Sequence, residues 1–386
     1  MPTAQDEKLR ERSGYGLSNM DLSELDFDLP AESIAQRPLS ERDASRMLLL
    51  DRQSGAWRDE RFRNFPDLLR GDELVVINNA RVIPARLFGH RLGVRGDTQK
   101  KYAAQKPAAD EKLLPAKIEV LLVRPLDAER WEALVRPGRK IPVGERIVFG
   151  DGELEARVEG RGGFGLRVLR FTAKSDFYAA IARLGHIPLP PYIKREDDSG
   201  DRERYQTVYA QEGRAVAAPT ACLHFTPQIL VRMGNRGAEI AEITLEVGLG
   251  TFEQVRTERL EDHKIHAESY EITEAAAAAI ERARREKRPV LAVGTTVVRA
   301  LEDAAAKSGR GATLVPTGKF EAEIFIYPGW KFRVMDQLLT NFHLPRSSLL
   351  AMIAAFAGRE HVLAAYGHAL EAGYRFYSYG DCMLIR

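Results

Sequence analysis

Cysteine is scarce in this chain. Two occur in 386 residues, Cys222 and Cys382. So few exclude a disulfide framework, and the pair has no metal-ligand spacing, so a reducing compartment fits. Long apolar runs are also missing; none approaches the roughly 18 residues of a membrane-spanning helix. The first twenty residues lack the apolar stretch of a secretory signal. Nor does one sign of charge prevail. Fifty-seven Lys and Arg stand against 55 Asp and Glu, a formal net charge of +2. Bulk charge therefore does not mark a nucleic-acid binder, and any such surface has to be a local patch. No internal repeat is found. These absences leave a soluble cytoplasmic protein as the expectation.

Two or three domains are expected at this length. Residues 1–20 are polar and glycine-punctuated and read as a disordered leader. Over 21–84 and again over 172–386, strand-like and helix-like patterns alternate. Strands are expected from Leu74 to Ile77 and at 241–250, 289–296 and 324–329. Helices are expected at 175–186, 226–237, 273–287 and 297–307, with one or two more over 349–373. This alternation predicts an α/β domain with a mostly parallel sheet. Residues 85–171 read as short alternating strands separated by Gly and Pro turns, which predicts a small antiparallel β-barrel inserted into that domain. Within it, 94–117 is lysine-rich and aperiodic, the pattern of a mobile insert.

Four polar turns, each beside an apolar run, point to one site assembled from several loops: AVAAPTACLHFT (215–226), EVGLGTFEQVR (246–256), AVGTTVVRALED (292–303) and LTNFHLPRSSLL (339–350). Gly294, Thr295 and Thr296 close a strand and open a helix, where backbone N–H groups suit a carboxylate, ribose or phosphate. Gly248, Gly250 and Thr251 end another strand in the same way. His224 is either a core histidine or, flanked by Thr220 and Thr226, a site residue. His263 and His266 have H-x-x-H spacing, but nothing completes a metal set, so no metal is expected; acid/base work or phosphate contact fits better. Asn341, His343 and Arg346 precede a long apolar helix that Ser347 or Ser348 caps. His186 lies in GHIPLPPYI (185–193), a proline-stiffened loop for ligand contact or for joining domains. The aromatics of YRFYSYGDCMLI (374–385) suit base stacking, or else a closing strand.

Taken together, further blocks carry a resemblance: IAQRPLSERDASRMLLLDR (34–52), NNARVIPARLFG (78–89), DRERYQTVYA (201–210), HKIHAESYE (263–271) and FIYPGWKFRVMDQLLTNFHLPRSSLL (325–350). With the turns above, in this order, they resemble the S-adenosylmethionine:tRNA ribosyltransferase-isomerases of queuosine biosynthesis. The chain departs from the family pattern at Asn79, Ala80, Cys222, Ile265 and Val297. The resemblance implies transfer and isomerisation of the ribosyl part of S-adenosylmethionine onto 7-aminomethyl-7-deazaguanine at the tRNA wobble position. Epoxyqueuosine in tRNA, adenine and methionine are the products. It implies an α/β domain with an inserted β-barrel, a monomer, and no cofactor beyond S-adenosylmethionine, which is consumed as a substrate.

The sulfonium acidifies the adjacent 5′ carbon, so a base can take a proton there, and protonation helps adenine leave. The candidates for this acid/base work are His224, His263, His266 and His343, with Asp336 and Asp381 behind them. Substrate contacts are expected from Pro219, Thr220, Thr226, Gly248, Gly250, Thr251, Gly294, Thr295, Thr296, Arg299, Asn341, Arg346 and His186. Arg81 and Arg86 are candidates for RNA phosphates, the RNA being the tRNA anticodon stem-loop. Two other classes compete: an RNA-binding module without catalysis, and a tRNA methyltransferase.

Overall fold

The computed structural model describes residues 20–94, 111–138, 141–246, 248, 257, 259–263, 265–309 and 313–386. All but the last residue of the leader assigned to 1–20, and most of the 94–117 insert, therefore lie outside the described residues. In chain order the strands are β1 (Arg46–Leu50), β2 (Trp57–Arg61), β3 (Leu74–Asn78), β4 (Ala80–Val82), β5 (Arg86–Val94), β6 (Glu111–Pro125), β7 (Arg130–Arg136), β8 (Arg146–Phe149), β9 (Leu154–Arg161), β10 (Leu166–Ala173), β11 (Glu212–Ala215), β12 (Glu239–Glu246), β13 (Glu268–Ile272), β14 (Val290–Val293), β15 (Gly318–Ala322), β16 (Gln337–Asn341) and β17 (Cys382–Ile385). The helices of eight or more residues are α1 (Phe177–Leu184), α2 (Pro227–Asn235), α3 (Glu274–Arg285), α4 (Thr295–Lys307), α5 (Ser348–Ala357) and α6 (Arg359–Glu371). The chain divides into two compact units, Met1–Val82 with Leu189–Arg386, and Ile83–Pro188.

The first unit is built on a nine-stranded sheet in the order β15-β13-β12-β3-β14-β16-β17-β1-β2. Its centre, β12-β3-β14-β16, is parallel, as the strand–helix alternation predicts. The sheet as a whole is mixed, because β13, β15 and β2 add antiparallel edges and β17 returns antiparallel to β16. Every residue of β3 and β14 is buried. That explains their unbroken apolar runs, since a central parallel strand is covered on both faces. Leu74 and Val76 pack with Ile280, Val298, Leu301 and Ile353 on one face. Val75 and Ile77 pack with Phe62, Phe65, Phe225 and Met233 on the other. The split follows from the two-residue period of a strand.

Local signals set several ends. Asp176, Thr226, Thr273 and Ser347 cap α1, α2, α3 and α5 by accepting a backbone N–H. The 349–373 stretch forms two helices bent by 115° at Gly358, which takes φ +86°. No single helix among the described residues is long and apolar enough to cross a membrane. One expectation fails. Residues 324–329 form no strand; β15 lies upstream, pairing β13 through Tyr270 and Phe320. The Ile324 carbonyl accepts instead from the Arg299 guanidinium, and Ile326 is buried in the core.

In the second unit, β10-β7-β6-β5-β8-β9 close into a barrel with every pairing antiparallel. Alternate residues such as Val120, Trp131, Ala133, Phe149, Val158 and Leu169 fill it. Residues 111–117, read as part of the loop insert, belong to β6.

Candidate functional site

The first unit's site begins where β14 runs out. Its four apolar residues end at Gly294, which adopts φ +94°, a conformation that glycine takes at little cost. The Gly294 N–H donates to the Leu339 carbonyl at 2.8 Å, tying this turn to β16. β14 and β16 are parallel, so Gly294–Thr296 and Thr340–His343 leave the sheet on the same side. Ligands gather beyond the carboxyl ends of strands in such sheets. The 218–221 turn, Tyr192 and Tyr377–Ser378 complete the walls of a narrow cleft. Thus Pro219, Thr220, Gly294, Thr295, Thr296, Asn341 and His343, drawn from three of the four polar turns, share one cavity.

A smaller recess shares Thr295, Thr296 and Leu349 with this cleft and reaches Glu268, Arg299 and Ser348. The first turns of α4 and α5 therefore both face this region. The N–H groups and macrodipoles at these helix starts make it favourable for an anion. None of the described residues lining the main cleft is a carboxylate.

The two histidines nearest the cleft differ in what their rings do. His224 is buried behind Asn341, with Nδ1 2.9 Å from the Ser45 hydroxyl and Nε2 3.2 Å from Asn341 Oδ1. The Asn341 amide nitrogen donates to the Tyr377 carbonyl at 2.8 Å. That carbonyl can only accept, so the amide orientation is set, Oδ1 faces His224, and Nε2 must carry the imidazole proton. Burial lowers the His224 pKa to about 4, so the ring is neutral and Nδ1 accepts from Ser45. Both ring nitrogens are thereby engaged away from the cleft. His343 does line the cleft. Its Nε2 lies 2.9 Å from the Thr340 hydroxyl, and its backbone N–H donates to the Tyr366 hydroxyl. Burial lowers its pKa to about 3, so it too is neutral near pH 7.

The recess is braced by Arg299, which is 5% exposed. Its guanidinium pairs with Glu268 at 2.8 Å and donates to the carbonyls of His266, Ala322 and Ile324. Four bonds to protein make it a structural clamp in the wall of the recess. His266 and His263 precede β13, His263 lying edge-on to Phe325 at 5.2 Å. Neither lines the main cleft, although Ile265 between them walls the recess.

Other expected residues lie elsewhere. Asp336 sits before β16, at the end opposite Asn341, bound to Arg284 and to the Val290 N–H. It staples strand starts at the end of β16 away from the cleft. Asp381 is buried and accepts from the backbone N–H groups of Arg46 and Arg375. Burial raises its pKa, and its oxygens are occupied by backbone. Thr226 caps α2, which replaces the substrate contact expected of it. Arg346 is exposed, 3.9 Å from Asp26 and outside the cleft. Arg81 is exposed and donates to the Ala210 carbonyl. Within the second unit, Arg86 pairs with Glu119, and its backbone bridges that of His186. Gly248 follows β12 with open space around it, while Gly250 and Thr251 lie outside the described residues.

Cys222 stands where the family pattern has a smaller residue, yet its sulfur lies 4.0 Å from the Val293 carbonyl in the core. Burial raises that thiol's pKa to about 11. Asn79 bonds Glu242 and Thr244 and lines a broad concavity beside β12, β13 and β15, walled by Glu239, Glu242, Glu246, Glu271 and Glu321. Those carboxylates make it a poor seat for an anionic substrate. Sequence reasoning missed Ser45, Tyr192 and Ser378 as site residues, and it offered Tyr377 only as one of the aromatics of 374–385 suited to base stacking. Tyr192 is legible only as the end of a proline-stiffened loop, and Ser45 carries no local signal.

The sequence matches the family model described as queuosine biosynthesis protein over residues 22–385. It is 53% identical to the S-adenosylmethionine:tRNA ribosyltransferase-isomerase of Solibacter usitatus, over 95% of this chain and the whole of that protein. The enzyme of the same name from Moorella thermoacetica is 47% identical, over the same shares of each chain. The solved structure of S-adenosylmethionine tRNA ribosyltransferase from Thermotoga maritima matches with a TM-score of 0.51 and 32% identity, over 94% of this chain and all of that one.

Proposed function

The chain belongs to the queuosine biosynthesis protein family, and from that premise we propose that it is an S-adenosylmethionine:tRNA ribosyltransferase-isomerase. It transfers and isomerises the ribosyl moiety of S-adenosylmethionine onto 7-aminomethyl-7-deazaguanine in tRNA, releasing adenine and methionine. The protein acts as a cytoplasmic monomer on the anticodon stem-loop, with no cofactor beyond the consumed donor.

The observation that carries this reading is the convergence of Gly294–Thr296, Asn341 and His343 in one cleft without carboxylates. A sulfonium donor with a carboxylate tail suits it. The tail sits on the N–H groups opening α4, where the macrodipole favours negative charge. The Thr295 and Thr296 hydroxyls add donors. Proton removal beside the sulfonium falls to His343, the imidazole that lines the cleft and is held in its proton-accepting form. A positioned base of this kind contributes about 10²–10⁴-fold. Asn341, held by His224 and Tyr377, has a second amide hydrogen to orient the donor. Arg81, exposed on the same unit, is the candidate for an RNA phosphate.

The test uses labelled S-adenosylmethionine and an anticodon stem-loop carrying the precursor base. Released adenine and methionine are expected. Released S-adenosylhomocysteine would make the protein a methyltransferase, and tight RNA binding without either product would make it a binding module.

A further inference from the structure

Tyr377 has φ +72°, a region that glycine enters freely and a bulky residue rarely occupies. Three hydrogen bonds hold it there. Its N–H donates to the Phe342 carbonyl, and its own carbonyl accepts from Asn341 and from the Gly380 N–H. Such an outlier persists only where the surroundings over-determine it, and outliers of this kind cluster at ligand sites. A glycine would make the same backbone bonds without strain, so the backbone alone gives no reason for a tyrosine.

The ring supplies one. Among the aromatics of this segment, Tyr374, Phe376 and Tyr379 are buried, and the Tyr374 and Tyr379 hydroxyls bond Asp59 and Asp201. The Tyr377 ring is half-buried and lines the cleft. The Tyr192 ring lies beside it, centroids 3.9 Å apart and planes at 45°. The Tyr192 hydroxyl is 2.6 Å from the Ser378 hydroxyl, which fixes that ring as well. Across the rest of the cleft the walls include Ala218, Ala221 and Gly294. The Tyr377 ring, backed by Tyr192, thus gives the narrow cleft an oriented aromatic wall opposite small residues.

We propose that Tyr377, seated against Tyr192, is the stacking wall for a planar purine-type heterocycle. The ring is either the adenine of the donor or the 7-deazaguanine of the RNA. This deepens the reading above and rests on it for the identity of those two substrates. Stacking on an aromatic side chain tolerates either ring.

Tyr377→Gly separates ring from backbone, because glycine adopts the same φ without strain. It should fold with an unfolding midpoint no lower than that of the parent. Loss of stacking should weaken binding of one ring-bearing substrate by about tenfold or more. Equilibrium dialysis with labelled S-adenosylmethionine, and separately with the stem-loop, reads this independently of turnover. Weaker donor binding alone assigns the adenine, weaker RNA binding alone assigns the 7-deazaguanine, and Tyr377→Phe should match the parent for both. Unchanged binding of both substrates by a folded Tyr377→Gly would overturn the proposal, even if turnover fell. Failure of the parent protein to release adenine would overturn the proposed reaction instead, and leave the stacking result to be read from dialysis.

Discussion

The side-chain nitrogen of Asn341 donates to the carbonyl oxygen of Tyr377 at 2.8 Å, and this bond fixes the orientation of the Asn341 amide. It turns Asn341 Oδ1 toward His224, which places the imidazole proton on Nε2 and directs the Ser45 hydroxyl to Nδ1. His224 is thus a positioning residue. We expect His224→Ala to lower kcat through a misplaced Asn341 while the shape of the pH–rate profile is preserved. Loss of one limb of that profile would return the proton transfer to His224.

His343 should behave differently. His343→Asn keeps a polar group in the cleft but removes the base, and single-turnover rates are expected to fall about 10²-fold or more. Asp336→Asn serves as the contrast. It weakens the Arg284 and Val290 contacts, so the unfolding midpoint should drop while kcat stays within about twofold. A turnover loss at Asp336 that matched the loss at His343 would refute the separation of their roles.

Gly294→Ala tests the turn that opens α4. A Cβ there meets nothing closer than 3.7 Å, so the penalty is the positive φ itself. With ψ at 147° the backbone lies near a region that only glycine enters freely, and holding another residue there costs about 1–3 kcal/mol. Chemical denaturation should show a loss of that size, and calorimetric titration should show weaker donor binding as the helix start shifts. Full stability in the variant would mean that the turn can relax.

The buried pair Arg299–Glu268 makes a larger prediction. Both side chains are about 5% exposed. Arg299→Met would strand a buried carboxylate and three carbonyls, and removing one partner of such a pair costs about 3–5 kcal/mol. Adding Glu268→Gln should recover part of that loss in urea unfolding. If the double variant were as unstable as the single one, the carbonyl contacts would dominate the clamp.

Stability should fall in mild acid. The folded-state pKa values of His224 and His343 are lowered to about 4 and about 3 by burial, while an unfolded histidine titrates near about 6.5. Below about 6.5 the unfolded chain takes up protons that the native chain refuses, so the native state loses ground as pH drops toward those values. The contribution is fully present above pH 6.5. Unfolding free energies measured between pH 7.5 and 5 should decline with a slope approaching two protons, and His224→Gln should remove about one of them. A flat profile would show that the rings can reach water.

What could be read along the chain was whatever depends on near neighbours. Apolar runs marked β3 and β14, helical periodicity marked α1, α2 and α3, a serine cap marked the start of α5, and close-set turns marked the barrel strands, because period and capping are properties of a few adjacent residues. Short runs were ambiguous where two uses satisfy the same residues. Ile324–Tyr327 suits a strand, yet Arg299 claims the Ile324 carbonyl and the ladder forms at β15 instead. Nor could order along the chain distinguish His224 from His343, since each sits between apolar residues beside a threonine-bearing turn. Folding separates them. The parallel pairing of β14 with β16 brings His343 to the cleft, while packing against Phe62 and Ser45 keeps His224 behind Asn341. Which polar groups meet is set by strand order and by the cost of burying an unpaired donor or acceptor, and both arise between segments far apart in the chain.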